Sequence, residues 1–533
     1  MGKRLASVFL ITLGVALAGV VIFTLVLFMA PGLSIFGVKY IATGTHVVNE
    51  SCVLSEKLDG GTFSGSIRIE AEELPIYVVF SQKFTYQVEY YDNYNGITNS
   101  SFDDPSIQFL KDANGTAVIK VNSFKKFVFE NRNSSRYLKL YIPSALIGAS
   151  QAGQTNLEIV STSSSIHFYD EVEDNYDPYF RNITIKTNGT VSSSTEVKAD
   201  NYSLKTINAI KIGENRVSNI NATNYILNST GGKIVVDRAV SGDINATTKN
   251  ARIQILSCRN FTANSGYGDV YSARKTAGIK INGVANITTT AGIVEIDSIL
   301  GTGKSVIETR TGNVKITNVQ DLDLTTTRGF IRVNSAKNIN VSTSSGSITV
   351  ETATESVTAK TKRGKVFLGG ENNILHNPKV ESTFGEVSVV SASGTVKIDT
   401  VKANVNFVNK DASNISLSVG GELSATKLLG AVDISVDGNA NIEFLDFTQK
   451  STITGLKTGS MVTIKLLNND GNTFAYDLEG NDASLFEYNV EDPENHYQIG
   501  KSTNLTSSAD KVGKPLLSVT TQGRLVVYYK KTS

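Results

Sequence analysis

From residue 232 to residue 430 a glycine or small residue returns about once every 18 positions, and this recurrence constrains the chain more than any other feature. The series runs Gly232, Ala251, Gly268, Gly292, Gly312, Gly329, Gly346, Gly364, Gly385, Gly394, Ser413 and Gly430. Most gaps fall between 17 and 21 residues; one of 24 and one of 9 mark irregular turns. Two and four positions after every marker but Gly268 stand apolar pairs such as Val294/Ile296, Val314/Ile316, Ile331/Val333, Ile348/Val350, Val396/Ile398, Ile415/Leu417 and Val432/Ile434. Seven and five positions before it stand others, as in Ala285/Ile287, Leu322/Leu324, Ile339/Val341 and Val357/Ala359. The unit is therefore strand, Thr/Ser-x-x-Gly corner, strand, second corner. One such turn cannot bury its apolar side alone. Stacked turns can, each pairing with the next at about 4.8 Å. The glycine supplies either a positive φ or a close backbone approach at the corner.

This predicts an all-β chain built as a single-stack β-solenoid, a parallel β-helix with 17–21 residues per turn. A β-sandwich array also has short strands, but it lacks an 18-residue super-period. About 16 turns between 155 and 455 would stack to roughly 75 Å. Ahead of the repeat, Phe84, Tyr86, Val88 and Tyr90 share one strand face, and the strand Tyr137–Ile142 stops at Pro143 because proline has no ladder donor. After residue 460 the period breaks, and Leu516–Val519 with Leu525–Tyr529 reads as a final hairpin capping the open stack.

The N-terminus is of another kind. Lys3 and Arg4 are followed by no charge until Lys39, and Val8 to Ala30 is apolar, long enough to cross a hydrocarbon core of about 30 Å as a helix. The flanking charge favours a cytoplasmic N-terminus. A cleaved signal peptide competes through Ala16-Leu17-Ala18, yet the apolar run continues past it. The expected organisation is a short cytoplasmic stub and transmembrane anchor over 1–40, a membrane-proximal β region over 41–154, the solenoid over 155–459 and a C-terminal β cap over 460–533. The bulk of the chain would lie outside the cell.

Composition removes several functions. Lys plus Arg total 51 and Asp plus Glu 50, a net charge of +1, without the basic excess of a nucleic-acid protein. Two cysteines, Cys52 and Cys258, exclude a disulfide scaffold, and an unpaired Cys258 is expected. His46, His167, His376 and His496 have no Cys or His at ligand spacing. The acidic run Asp170, Glu171, Glu173, Asp174 and Asp177 lacks the spacing of a calcium loop. Asp321/Asp323 and Asp433/Asp437 could each place two carboxylates on one face, as glycosidases require, but Asp323 stands at an outward position between Leu322 and Leu324, where a polar residue is expected anyway. Fifteen N-x-S/T sequons occur, among them Asn182, Asn201, Asn245, Asn260, Asn286, Asn340 and Asn414; Asn245, Asn286 and Asn340 are expected to face solvent. No nucleophile, phosphate-loop or dinucleotide motif is present. We therefore expect no enzyme, no catalytic residue, no cofactor and no metal.

The run RYLKLYIPSALIGASQAGQTNLEIVSTSSSIHF, followed by repeated S/T-x-x-G-x-V-x-V units, resembles the adhesin-type family of β-strand-repeat proteins and is similar to bacterial head-GIN surface domains, over roughly residues 60–450. The resemblance implies a surface-exposed β-helix and carries no catalytic residues. The expectation is a membrane-anchored, non-catalytic surface adhesin or envelope-structural protein. Its partners would be the membrane through residues 8–30 and a surface polysaccharide or another cell-surface protein, with no nucleic acid. A signalling ectodomain and a polysaccharide-processing β-helix are the alternatives.

Overall fold

The computed structural model describes residues 10–22, 34–35, 38–39, 42–52, 66–72, 74–82, 86–97, 107–114, 116–121, 129–130, 135–143, 147, 155–171, 178–213, 218–274, 278–488, 496–507 and 512–531. Residues 10–22 are helical, with Leu10, Ile11, Val15 and Val20 exposed. The rest of the Val8–Ala30 run lies outside the described residues. Among those described, no helix is long and apolar enough to cross a membrane. The chain divides into two compact units, residues 1–233 and 234–533.

The second unit is a parallel β-solenoid. Its first wall stacks Val294 on Val314, then Ile331, Ile348, Val366, Val387 and Val405. A second wall stacks Leu324 on Val341, Ala359, Val380, Ile398, Leu417 and Ile434. All of these side chains are at most 3 % exposed, so alternation at period two puts one apolar set inside and the polar set outside. The apolar pairs after Gly394, Ser413 and Gly430 belong to the second wall, whereas those after Gly292 to Gly385 belong to the first. The nine-residue gap from Gly385 to Gly394 is thus half a turn, and an alignment that treats these markers as equivalent changes wall there.

The corner before the first wall has a repeated chemistry. The hydroxyl of Thr289, Thr309, Thr326, Thr343 or Thr361 accepts the backbone N–H of the glycine three residues on, at 2.9–3.0 Å. These glycines do not have positive φ; their requirement is space. A Cβ on Gly329 would stand 1.8 Å from the carbonyl oxygen of Gly312, and one on Gly346 equally close to that of Gly329. Positive φ belongs to the second-wall glycines, Gly394 at 72° and Gly430 at 76°.

The expected terminal hairpin does not form. Leu516–Thr521 pairs in parallel with Ser451–Gly455 on one side and Ala475–Tyr488 on the other. Arg524–Lys530 pairs likewise with Met461–Asp470 and Ala475–Tyr488. The last strands are one further turn, inserted between two turns that precede it in sequence. The reason is again a corner: Gly523 donates to the Thr521 hydroxyl at 3.1 Å, and a Cβ there would meet the Ser460 carbonyl oxygen at 2.0 Å. Outside this turn, His496–Thr506 pairs antiparallel with Ala475–Tyr488.

The first unit also has two walls. One runs, in spatial order, Ile107–Lys111, Ala117–Val121, Ser66–Ala71, Asn156–Val160, Tyr179–Lys186, Val197–Thr206 and Ile220–Ser229, parallel from Ala117–Val121 onward. The other runs Ala42–Cys52, Tyr86–Ile97, Ser135–Pro143, Ile76–Ser81, Ile166–Asp170 and Val191–Ser193, antiparallel over its first three strands and parallel after them. Ser66–Ala71 and Ile76–Ser81 therefore belong to one turn of this stack, lying between segments that follow them in sequence. Val88 and Tyr90 point inward, as their parity predicts.

Candidate functional site

On the second wall of the first unit, Ile76, Val78, Val88, Tyr90, Leu138, Leu140, Ile166 and Phe168 fill the core. The alternate positions must therefore face out, and they carry aromatic rings. Register places Tyr91 opposite Tyr137, Lys139 opposite Tyr77, and Tyr77 opposite His167. Tyr91 and Tyr137 stack at 4.9 Å between centroids, Tyr77 meets Tyr137 edge-on at 5.6 Å and His167 at 6.0 Å. Tyr169 stacks on His167 at 5.9 Å. These five rings are half-buried, while Val79, on the same side and in register with Tyr141 and Tyr169, is fully covered.

Polar groups are set among the rings. Tyr137 and Tyr141 donate their hydroxyls to the two oxygens of Glu89 at 3.3 and 3.2 Å, and the Lys139 ammonium lies 5.5 Å from the Tyr137 ring centre. Burial, then the Glu89 charge, pushes the Tyr137 and Tyr141 phenols up. Burial, then Glu171, pushes Tyr169 up to about 12, and burial pushes the His167 imidazole down. The face thus sets its rings among two carboxylate acceptors, Glu89 and Glu171, and one ammonium donor, Lys139. Such a surface offers π faces and hydrogen bonds together.

The other candidates are dispersed. His167 Nδ1 lies 2.6 Å from Ser192 Oγ, and His376 Nδ1 lies 2.8 Å from Ser393 Oγ. Both pairs sit where consecutive turns stack in register; a contact repeated in two units in this way is a feature of stacking. His496 meets the stacked rings of Phe486 and Tyr528 edge-on at 5.3 and 5.6 Å, and the His46 side chain lies outside the described residues. Asp321 accepts from Asn338 at 2.8 Å, and Asp323 pairs with Lys304 at 2.5 Å, so both face out and bridge to neighbouring turns. Asp433 is on the strand Ala431–Val436 and Asp437 lies beyond its end. Of the acidic run, Asp170 and Glu171 are described while Glu173, Asp174 and Asp177 lie outside the described residues. No group of three or more His, Cys, Asp or Glu that could hold a metal is found among the described residues. Cys258 is a free thiol, buried, and pushed up to about 12 by that burial and by Asp243. Asn245, Asn286, Asn340 and Asn414 are exposed. Asn182 and Asn201 join an amide ladder, with Asn182 donating to Asn156 at 2.6 Å and Asn201 to Asn182 at 2.9 Å.

The aromatic face was not singled out by sequence reasoning. The signal was present: Tyr137-x-Lys139-x-Tyr141, Glu89-x-Tyr91 and His167-x-Tyr169 alternate correctly. What was missing is which strands lie side by side, because residues 76–81 pair with 138–143 out of sequence order.

Fold and site together define a class: a two-walled parallel β-solenoid with an aromatic outer face in its first unit. Residues 238–373 match the model of the Toastrack DUF4097 family, a domain of unknown function. That match and the stacked-strand fold fit a β-strand-repeat family of surface proteins. The matched stretch lies within the second unit and does not include the aromatic face. No curated protein matches the chain, and no solved structure does.

Proposed function

We propose that this chain is a membrane-anchored, non-catalytic surface protein. In this reading residues 8–30 hold it in the membrane, its β-solenoid lies outside the cell, and the face formed by Tyr77, Tyr91, Tyr137, His167 and Tyr169 adheres to a surface polysaccharide or another cell-surface protein. The observation that carries the reading is this outward cluster of rings, flanked by Glu89 and Lys139, on a fold where a set of other charged side chains bridges turn to turn. Lys315–Glu295, Arg332–Glu351, Lys360–Glu381 and Lys365–Glu386, at 2.7–2.9 Å, are examples. The anchor is supported by the charge-free stretch between Arg4 and Lys39.

The test is adhesion by intact cells displaying the chain. Protease added outside should remove the bulk of the chain and abolish adhesion, Tyr91→Ala with Tyr137→Ala should reduce adhesion about tenfold or more, and bound polysaccharide should be recovered with its chain length unchanged. Adhesion that survives both treatments, or shortening of the polysaccharide, contradicts the reading.

A further inference from the structure

The rings of the aromatic face form a line. Tyr91, Tyr137, Tyr77 and His167 stand on four consecutive strands, with centroid steps of 4.9, 5.6 and 6.0 Å. The line crosses the strands, so it follows the stacking direction of the first unit. A ligand lying along it meets one ring per step at nearly constant spacing. Resting on the binding function above, we infer that the ligand of this face is a linear chain of neutral hexose units laid across the strands.

Three observations select this chemistry. A pyranose presents C–H groups on its faces and hydroxyls around its rim. The rings offer aromatic surface to the first, while the Glu89 carboxylate, through lone pairs beyond those taken by Tyr137 and Tyr141, offers an acceptor and the Lys139 ammonium offers donors to the second. Next, the face has no open aliphatic anchor among the described residues, since Val79 is fully covered. Among the described residues a protein partner would therefore find no apolar socket of the kind that dominates interface energetics. Finally, Glu89 and Glu171, which accepts from the Tyr169 hydroxyl at 3.5 Å, repel an anionic polymer. The regular step favours a repeating ligand over a globular one.

The experiment is calorimetric titration of the full chain in detergent micelles with cellohexaose, chitohexaose and maltohexaose. A hyaluronan hexasaccharide serves as the anionic comparison and an oligoproline peptide as the protein-class comparison. At least one neutral hexaose should bind saturably and the hyaluronan fragment should not. Tyr137→Ala should weaken the binding about tenfold. Tyr137→Phe, which keeps the ring and loses only the hydroxyl bond to Glu89, should stay within about threefold. Phe330→Ala, removing a ring that is 61 % exposed in the second unit, should change nothing. Melting curves accompany each variant, and Tyr91→Ala replaces Tyr137→Ala should the latter unfold. If no neutral hexaose binds while oligoproline binds in a Tyr137-dependent way, the glycan assignment is overturned and the binding function stands. If nothing binds and cell adhesion is also indifferent to Tyr91 and Tyr137, both fall. Neutral hexaose binding that is equal in wild type and Tyr137→Ala, Tyr91→Ala overturns the site.

Discussion

A single methyl group decides whether a turn can close against its neighbour. At Gly312, Gly329, Gly346 and Gly364 an added Cβ would fall 1.6–1.9 Å from the carbonyl oxygen of the glycine one turn earlier, and no flexible side chain is there to yield. The threonine three residues upstream completes the corner by satisfying the glycine N–H, which would otherwise be a buried donor without a partner. Parity within a strand is equally strict. Ile348 and Val350 are fully buried, while Ser347 and Thr349 lie on the outer side, partly exposed. Ile348→Asp should therefore cost about 4 kcal/mol or more through an unpaired buried carboxylate, and Thr349→Asp about 0.5 kcal/mol or less. Val366→Asp and Lys365→Asp should repeat the contrast one turn on. Because stability in a stack is a sum over turns and their neighbours, limited proteolysis of Ile348→Asp should cut first near residues 340–370. Equal effects at both parities would contradict the register. This level was fully legible in the sequence, since alternation needs only neighbouring residues. The slip at Gly394 was not, because both walls present the same small-x-apolar-x-apolar pattern and only pairing tells them apart.

At the scale of elements, the end of the second unit departs most from a simple winding. The turn Leu516–Lys530 is buried between two earlier turns, with Leu517, Leu525 and Val527 completely inside. The strand His496–Thr506 lies outside it and is exposed along its length. This arrangement protects the last strands, which would otherwise present unpaired edges. Leu516–Val519 and Leu525–Tyr529 read as a hairpin because two short apolar runs separated by a glycine-containing turn are the usual hairpin signal. The parallel alternative depends on partners some 40 and 60 residues away, at Ala475–Tyr488 and at Ser451–Asp470, beyond the reach of local pattern. Val527→Asp should accordingly lower the melting temperature of the chain and open residues 451–488 to protease, whereas Ile499→Asp, at a side chain 55 % exposed, should leave both close to wild type. A hairpin that caps the stack from outside would instead make the Val527 substitution local, with residues 451–488 still protected.

For the whole molecule, fold class was readable from period and parity, and the aromatic face was not. A solenoid repeats its contacts at a fixed step, so composition and spacing report it directly. The aromatic face depends on the out-of-order neighbours Tyr86–Ile97, Ser135–Pro143, Ile76–Ser81 and Ile166–Asp170, and four separate sequence stretches converge only after folding. Much of the charge of the chain is likewise legible only in three dimensions. Asp321 and Asp323, whose spacing could place two carboxylates on one face, face out as rungs between turns, with Asn338 and Lys304 as partners. Parallel, in-register stacking underlies all of this, and distances between spin labels test it most directly. With Cys52 and Cys258 replaced, one label is placed at Glu295 and the second at Phe367 or Asn406. These positions share one outward column, through Lys315, Arg332 and Thr349 to Phe367, then through Ser388 to Asn406. Four and six inter-strand steps of about 4.8 Å place the labelled backbone sites about 19 and 29 Å apart. Two narrow distributions whose separation grows in that proportion are expected; distances that do not grow from Phe367 to Asn406 would contradict the stack.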